Sequence, residues 1–160
     1  MNIRIIAVGR IRDKNINGLI EEYSKRLSGY VNFEIIETPE QKFGSDNASK
    51  SEIQIALEKE GEDILKKIPP KSRIIALCIE GKSLSSEEFS KYIGQSAIEG
   101  FSSIVFIIGS SYGLAKKVKD AAHLQLSFSK MTFPHGLMRA VLCEQIFRAF
   151  KILKGEVYHK

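Results

Sequence analysis

The run RIIALCIE, residues 73–80, is the clearest structural signal in the sequence. Apolar residues follow one another along it almost without interruption, and Pro69, Pro70 and Gly81 confine it to the length of a strand. A strand that is apolar on both faces is typical of a parallel sheet with helices packed on each side. The run therefore predicts an α/β fold with this segment in the interior of its sheet.

Four further runs predict strands before and after this one: IRIIAV at 3–8, VNFEIIE at 31–37, SSIVFIIG at 102–109 and LQLSFS at 124–129. Segments with helical spacing or helix caps alternate with them, at 16–27, at 51–68, from the serine cap in SLSSEEF (83–89) to about Gly100, at 114–122 and at 136–153. This alternation predicts one domain over residues 1–160, with a largely parallel sheet and right-handed crossovers. Residues 38–50, rich in turn-forming residues, are predicted to form a flexible loop.

Composition excludes several classes of protein. The 160 residues are 43% hydrophobic and 27% charged, and no apolar run approaches the ~18 residues of a membrane span, which indicates a cytoplasmic globular protein without a membrane partner. Cys78 and Cys143 each lie inside an apolar segment and lack CxxC spacing. They are interpreted as buried small side chains, and no metal site is expected.

Positive charge is concentrated in the C-terminal third. Residues 1–108 hold 15 Lys and Arg against 16 Asp and Glu, whereas residues 109–160 hold 9 against 3. Such polarity suits a phosphate-rich partner such as nucleic acid, although a basic helix face that is merely solvated has the same composition.

Three loops are the places to look for a ligand, because ligands of open α/β sheets bind beyond the carboxyl ends of the strands. They are the turn from Leu77 to Gly81, the glycine-bracketed turn GSSYG at 109–113, and SFSKMTFPH at 127–135. The two glycines of GSSYG permit close backbone approach to a ligand, but the same turn also occurs without one.

The sequence after the first strand, AVGRIRDKN, lacks the glycine fingerprint of a nicotinamide-dependent oxidoreductase.

The last helix is apolar over most of its circumference: 12 of the 18 residues from 136 to 153 are apolar. Such a helix must be covered on two sides. The second cover is either a second copy of the chain in a two-fold interface or deep burial within one chain.

The C-terminal stretch SKMTFPHGLMRAVLCEQIFRAFKILKGEVYHK, residues 129–160, is similar to the signature of the RlmH family, in the SPOUT class of S-adenosylmethionine-dependent methyltransferases. MNIRIIAVGR, LEKEGEDIL, IIALCIEGK and FIIGSSYG resemble the same family at matching intervals, so the resemblance covers the whole chain. It implies a Rossmann-like α/β fold with a C-terminal trefoil knot, a homodimer formed through the C-terminal helix, and methylation of N3 of a pseudouridine in helix 69 of 23S ribosomal RNA on the assembled ribosome.

The resemblance also implies a set of site residues. The methyl donor, S-adenosylmethionine, would be held mainly by backbone groups of the three loops, at Leu77, Gly81, Gly109, Phe128, Ser129, Lys130, Met131, Thr132 and Phe133. One departure is Ser110, since the family usually has a second glycine after Gly109.

The tail GEVYHK, residues 155–160, is predicted to cross to the partner's donor pocket, where Tyr158 and His159 would join His135 as candidate catalytic residues. A histidine suits removal of the N3 proton near neutral pH, and direct loss of that proton to water is the alternative. RNA-backbone contacts are assigned to Lys116, Lys117, Arg139, Arg148 and Lys160. A non-catalytic ribosome-binding protein of the same fold remains the alternative function, and donor binding would distinguish the two.

Overall fold

A computed structural model describes residues 1–43 and 48–158 of the chain. Its strands and helices alternate as β1 (Asn2–Val8), α1 (Lys14–Leu27), β2 (Asn32–Thr38), α2 (Lys50–Leu65), β3 (Ser72–Lys82), α3 (Ser86–Ile98), β4 (Ser103–Ile108), α4 (Lys116–Ala121), β5 (Leu124–Leu126) and α5 (His135–Leu153). The strands form one sheet in the order β2-β1-β4-β3-β5, and every pairing is parallel. The predicted α/β class and its parallel sheet are confirmed.

The centre of the sheet explains why its strands are apolar without alternation. Every residue of β4 is buried, because helices cover both of its faces. Ile104 and Phe106 point into the larger core, shared with α1, α3 and α5, whereas Val105 and Ile107 point into the smaller core, shared with α2 and α4. The fully apolar runs seen in the sequence are therefore strands with a core on each face.

Two helix starts follow the sequence signals closely. Ser49 and Ser85 each form a capping box, in which the serine side chain accepts from a backbone N–H and a glutamate three residues later bonds back to the serine N–H. The serine cap predicted in SLSSEEF is thus Ser85. Of the loop predicted at 38–50, residues 44–47 lie outside the described part of the chain.

Strand β5 differs from its prediction. It ends at Leu126 rather than at 129: Ser127 N still donates to Lys82 O at 3.0 Å, but Ser127 Oγ donates to Ser129 O at 3.0 Å, and the chain bends there. Strand β3 is longer than predicted and runs through Gly81 to Lys82, which pairs with Leu126 after an irregularity in register.

Helix α5 lies on the sheet between α1 and α3. Ser90 Oγ on α3 donates to the carbonyl of Ala149 at 2.9 Å, and Tyr23 on α1 stacks at a tilt on Phe147 with 6.1 Å between ring centroids. Neighbours within one chain therefore account for most of its apolar circumference. The homodimer remains a prediction.

Among residues 1–43 and 48–158, no helix is long and apolar enough to cross a bilayer.

Candidate functional site

A cavity of about 700 Å3 opens at the carboxyl edge of the sheet, where the chain leaves β3, β4 and β5. Its volume is in the range of small-molecule sites. We call it the loop cavity, and its walls come from the three loops singled out in the sequence together with the first turn of α5: residues 77–80, 108–114, 126–129, 131–135, Lys119 and Met138.

The glycine turn after β4 is the tightest part of the loop cavity. A Cβ at Gly109 would lie 2.1 Å from the carbonyl oxygen of Gly113, so no larger residue fits without opening the turn. Gly113 has φ of +92° and donates its N–H to Ser110 O at 2.9 Å, which closes the turn. The cavity therefore presents backbone at this wall, where side chains would exclude a ligand.

Ser110 ties this turn to a buried carboxylate behind it. Its hydroxyl donates to Glu60 Oε2 at 2.9 Å, and the backbone N–H of Gln41 donates to Glu60 Oε1 at 2.9 Å. Glu60 is only 3% exposed, and this burial raises the pKa of its carboxyl above the ordinary value. Phe43 adds a second support, since its ring meets Tyr112 edge-on with 5.2 Å between centroids. The turn is thus held from outside the cavity by α2 and the segment before it.

The last residues of β3 cross the end of β5 with backbone against backbone. A Cβ at Gly81 would lie 2.7 Å from the carbonyl of Gln125, and Ser127 N donates to Lys82 O at 3.0 Å. Glycine at 81 is what allows this close crossing. Just before it, Leu77 contributes an apolar side chain to the cavity wall.

The loop before α5 is ordered by its own serines. Ser129 Oγ accepts from Met131 N at 3.0 Å, which turns the chain back towards the cavity. Met131 and Phe133 remain 73% and 39% exposed although they line it, so this rim offers apolar surface to a ligand.

The structure brings together most of the residues predicted to hold the methyl donor. Those on the cavity wall are Leu77, Gly109, Phe128, Ser129, Met131, Thr132 and Phe133. Gly81 lies at the backbone crossing beside the wall, and Lys130 is exposed next to it, so neither lines the cavity. His135, a predicted catalytic residue, does line it from the first turn of α5.

Sequence reasoning missed two wall residues on helices. Met138 stands one turn after His135 on α5, and the helical spacing of the two was the available signal. Lys119 on α4 also reaches the wall, where it pairs with Glu80 and lowers the pKa of that carboxyl. Nothing in the sequence spacing links residues 80 and 119.

The described part of the C-terminal tail, residues 155–158, folds back on its own chain. The ring of Tyr158 meets Phe147 edge-on at 5.2 Å, with the guanidinium of Arg148 4.7 Å from its centroid. Burial there raises the pKa of Tyr158 to about 12. Tyr158 does not line the loop cavity of its own chain, and the other two tail residues with predicted roles, His159 and Lys160, lie outside the described residues.

The cations predicted to contact RNA are mostly paired with carboxylates. Lys116 Nζ lies 2.6 Å from Asp120, Lys117 Nζ lies 2.9 Å from Glu58 and 3.3 Å from Glu62, and Arg148 pairs with Glu144. Their RNA role stays a prediction. Each of these three side chains would have to contact phosphate while it is also paired with a carboxylate.

Arg139 corrects the sequence prediction. Its side chain is buried, and it donates to Glu37 Oε1 at 2.7 Å and to the carbonyl of Gly9 at 3.1 Å. The prediction of a phosphate contact is therefore wrong in this structure: Arg139 joins α5 to the ends of β1 and β2. A buried, bonded arginine is what the low dielectric of the interior requires.

The two cysteines differ in burial and in their position relative to the loop cavity. Both cysteines are free, and burial raises the pKa of Cys143 to about 12, far from the thiolate form. Cys78 is only half-buried, less than predicted, and lines the loop cavity. Within residues 1–43 and 48–158, no three His, Cys, Asp or Glu side chains are grouped as metal ligands.

Comparison with known proteins agrees with this geometry. A family model described as predicted SPOUT methyltransferase matches residues 1–159. The chain is 51% identical to ribosomal RNA large subunit methyltransferase H of Clostridium kluyveri and 53% identical to that of Clostridium botulinum, in both cases over 160 residues that span all of each chain. In fold it is similar to a probable methylase family protein from Haemophilus influenzae, with a TM-score of 0.54 at 12% identity, over 99% of this chain and 70% of that one.

Proposed function

The chain belongs to the RlmH family of SPOUT methyltransferases, and from this premise we propose that it transfers a methyl group from S-adenosylmethionine to N3 of a pseudouridine in helix 69 of 23S ribosomal RNA. The observation that carries the proposal is the loop cavity, where the three turns expected to hold the donor converge on one wall. The names of the relatives support large-subunit ribosomal RNA as the substrate class.

The loop cavity fits the donor in size and chemistry. Leu77, Phe128 and Met138 supply apolar surface for an adenine ring and a thioether, and the turn at Gly109–Gly113 supplies backbone N–H and C=O groups for its polar edge. Gly109 and Gly113 carry no side chains, so main-chain atoms form this part of the cavity wall. S-adenosylmethionine supplies an electrophilic methyl group on a sulfonium when bound there.

The protein's main contribution to the reaction is alignment. Methyl transfer is an in-line displacement, so the walls must hold donor and acceptor nitrogen at near-attack distance. The exposed rim residues Met131 and Phe133 are placed to pack against the incoming base. Positioning by such rigid turns supplies rate without a covalent intermediate.

The N3 proton of the acceptor must leave before or during attack. His135 is the histidine on the wall of the loop cavity, and we propose it as the group that takes this proton, with direct loss to water as the alternative. His135 is the first residue of α5, and its half-buried side chain stands at the cavity wall.

We further propose that the active enzyme is a cytoplasmic homodimer with a C-terminal trefoil knot. Tyr158 lies against its own α5, away from its own cavity, so a catalytic part for the tail requires the cavity of a second copy. In that arrangement Tyr158 and His159 close the partner's site and Lys160 contacts phosphate.

The test is methyl transfer from labelled S-adenosylmethionine to purified ribosomes that lack the modification. The intact chain is compared with one that ends after Gly155, and both are checked for dimerisation. We expect label in 23S RNA from the intact chain, and a folded but inactive truncated dimer. Ribosome binding without transfer by the intact chain would instead support the non-catalytic binding protein.

A further inference from the structure

We propose that the loop between β1 and α1 is a phosphate-contact site for the substrate RNA, with Arg10 and Arg12 as its cations. The inference rests on the proposed function, since it assigns a contact surface for the same RNA. These two cations lie outside the basic C-terminal third.

The loop leaves the sheet beside the loop cavity. β1 is the neighbour of β4 on the side away from β3, and Ala7 pairs with Ile108, which lines the cavity. Because the strands are parallel, the chain after Val8 emerges at the same edge as the glycine turn after β4. Gly9, with φ of +80°, then directs the chain outward.

The loop is anchored to the start of α5. A Cβ on Gly136 would lie 3.6 Å from Ile11 Cγ1, so the Ile11 side chain packs against the first turn of α5, and His135 next to Gly136 lines the cavity. The carbonyl of Ile11 accepts from Asn17 Nδ2 at 3.1 Å, and Asp13 caps α1 by accepting from Asn15 N at 2.8 Å. The half-buried Ile11 therefore holds the loop in place, and Arg10 and Arg12 lie on either side of it in the chain.

The two arginines point into solvent at this fixed position. The Arg10 side chain is 88% exposed, and its ion pair with Glu37 is loose, at 3.9 Å. Arg12 is exposed and has no ion-pair partner among residues 1–43 and 48–158. Lys130, on the loop before α5, is likewise exposed and has no ion-pair partner within the described chain.

The α4 surface differs in charge balance. Three lysines there, Lys116, Lys117 and Lys119, face the carboxylates of Asp120, Glu58, Glu62 and Glu80 within ion-pair distance. A phosphate that binds at α4 must compete with these carboxylates, whereas one at the β1–α1 loop meets guanidinium groups that are largely uncommitted. Arginine also bonds phosphate in a bidentate manner, which lysine does not.

The experiment measures ribosome binding against salt for the variant R10Q/R12Q. Glutamine keeps much of the side-chain length, and both positions are exposed, so the fold is retained. Each lost phosphate contact reduces the slope of log K against log salt by about 0.7–0.9, so the double variant should lose roughly 1.5 in slope. Methyl-donor affinity should not change.

The matched control K25Q/K67Q removes the same charge from exposed lysines at the ends of α1 and α2, at the opposite edge of the sheet. It should leave the slope unchanged. An unchanged slope in R10Q/R12Q, or an equal loss in the control, overturns the proposed loop site. If R10Q/R12Q weakens binding as expected but the intact chain transfers no methyl group, the RNA contact is supported and the proposed catalysis alone fails.

Discussion

At the carboxyl edge of the sheet backbone packs against backbone, whereas on the face that carries α1, α3 and α5 side chains pack against side chains. At Gly81 and Gly109 even one added carbon would meet main-chain atoms, at 2.7 and 2.1 Å. On the helical face, Leu142 and Ile146 fill space among other movable side chains. The loop cavity should therefore tolerate almost no change at its glycines, and the helical face should tolerate changes that conserve volume.

The largest effect is expected from Gly109→Ala. The new methyl group cannot coexist with Gly113 O, so the turn must open and its N–H and C=O groups must leave the cavity wall. Titration calorimetry with S-adenosylmethionine should then detect no binding.

Gly136→Ala is the control, because a Cβ there makes only ordinary contacts with Ile11 and Ile16, at 3.6 Å, in the first turn of α5. It should bind the donor as the parent does. Wild-type affinity in Gly109→Ala would show that the turn has room and that the contrast between the two regions is mistaken.

This contrast also explains what the sequence could predict. Strand runs and capping boxes depend on neighbours in the chain, so the order of elements and caps such as Ser85 were foreseeable. The glycines at 81, 109 and 113 lie at or shortly after the ends of strand runs in the sequence, so the positions of these loops were foreseeable from the sequence as well. The burial of Arg139 was not foreseeable, because its partner Glu37 is 102 residues away and only the fold brings them together.

The ion pairs of α4 illustrate the same limit. Lys117 and Lys119 carry positive charge in any sequence count, but their partners Glu62 and Glu80 come from α2 and β3. Net charge by segment therefore overstated how much of the C-terminal third is free to bind phosphate. Contacts between distant segments decide which cations remain available.

The second prediction tests the helical face through Ile146, which is fully buried between α5 and the sheet. Ile146→Ala should lower the free energy of unfolding by about 2–5 kcal/mol, and Ile146→Val by about 0.5–1.5 kcal/mol, since the cost follows the cavity left behind. Urea denaturation measures both. Donor affinity of the folded variants should be unchanged, and a loss of binding in Ile146→Val would mean that the two regions are coupled.

The smallest effect concerns Glu60, the carboxylate behind the glycine turn. Since burial raises its pKa, the folded chain holds this proton to higher pH than the unfolded chain, and the free energy of unfolding falls as pH rises from 4.5 through the folded-state pKa. Glu60→Gln has no carboxyl group to titrate, so its free energy of unfolding does not fall in this way as pH rises. Its amide can still bond Gln41 N and Ser110 Oγ. It should be more stable than the parent near neutral pH, and the difference should shrink in acid.

Glu52 provides a control of opposite sign. Its bonds to Ser49 in the capping box lower its pKa, so its contribution to stability is present above pH 4.5 and is lost as pH falls through the folded-state pKa. Glu52→Gln should therefore be less stable than the parent at neutral pH and converge with it in acid. Denaturation of the three chains between acid and neutral pH separates the two cases. A Glu60→Gln curve that follows the Glu52→Gln curve would mean that the buried carboxylate stabilises the turn as an anion, and that the backbone of the loop cavity depends on its charge.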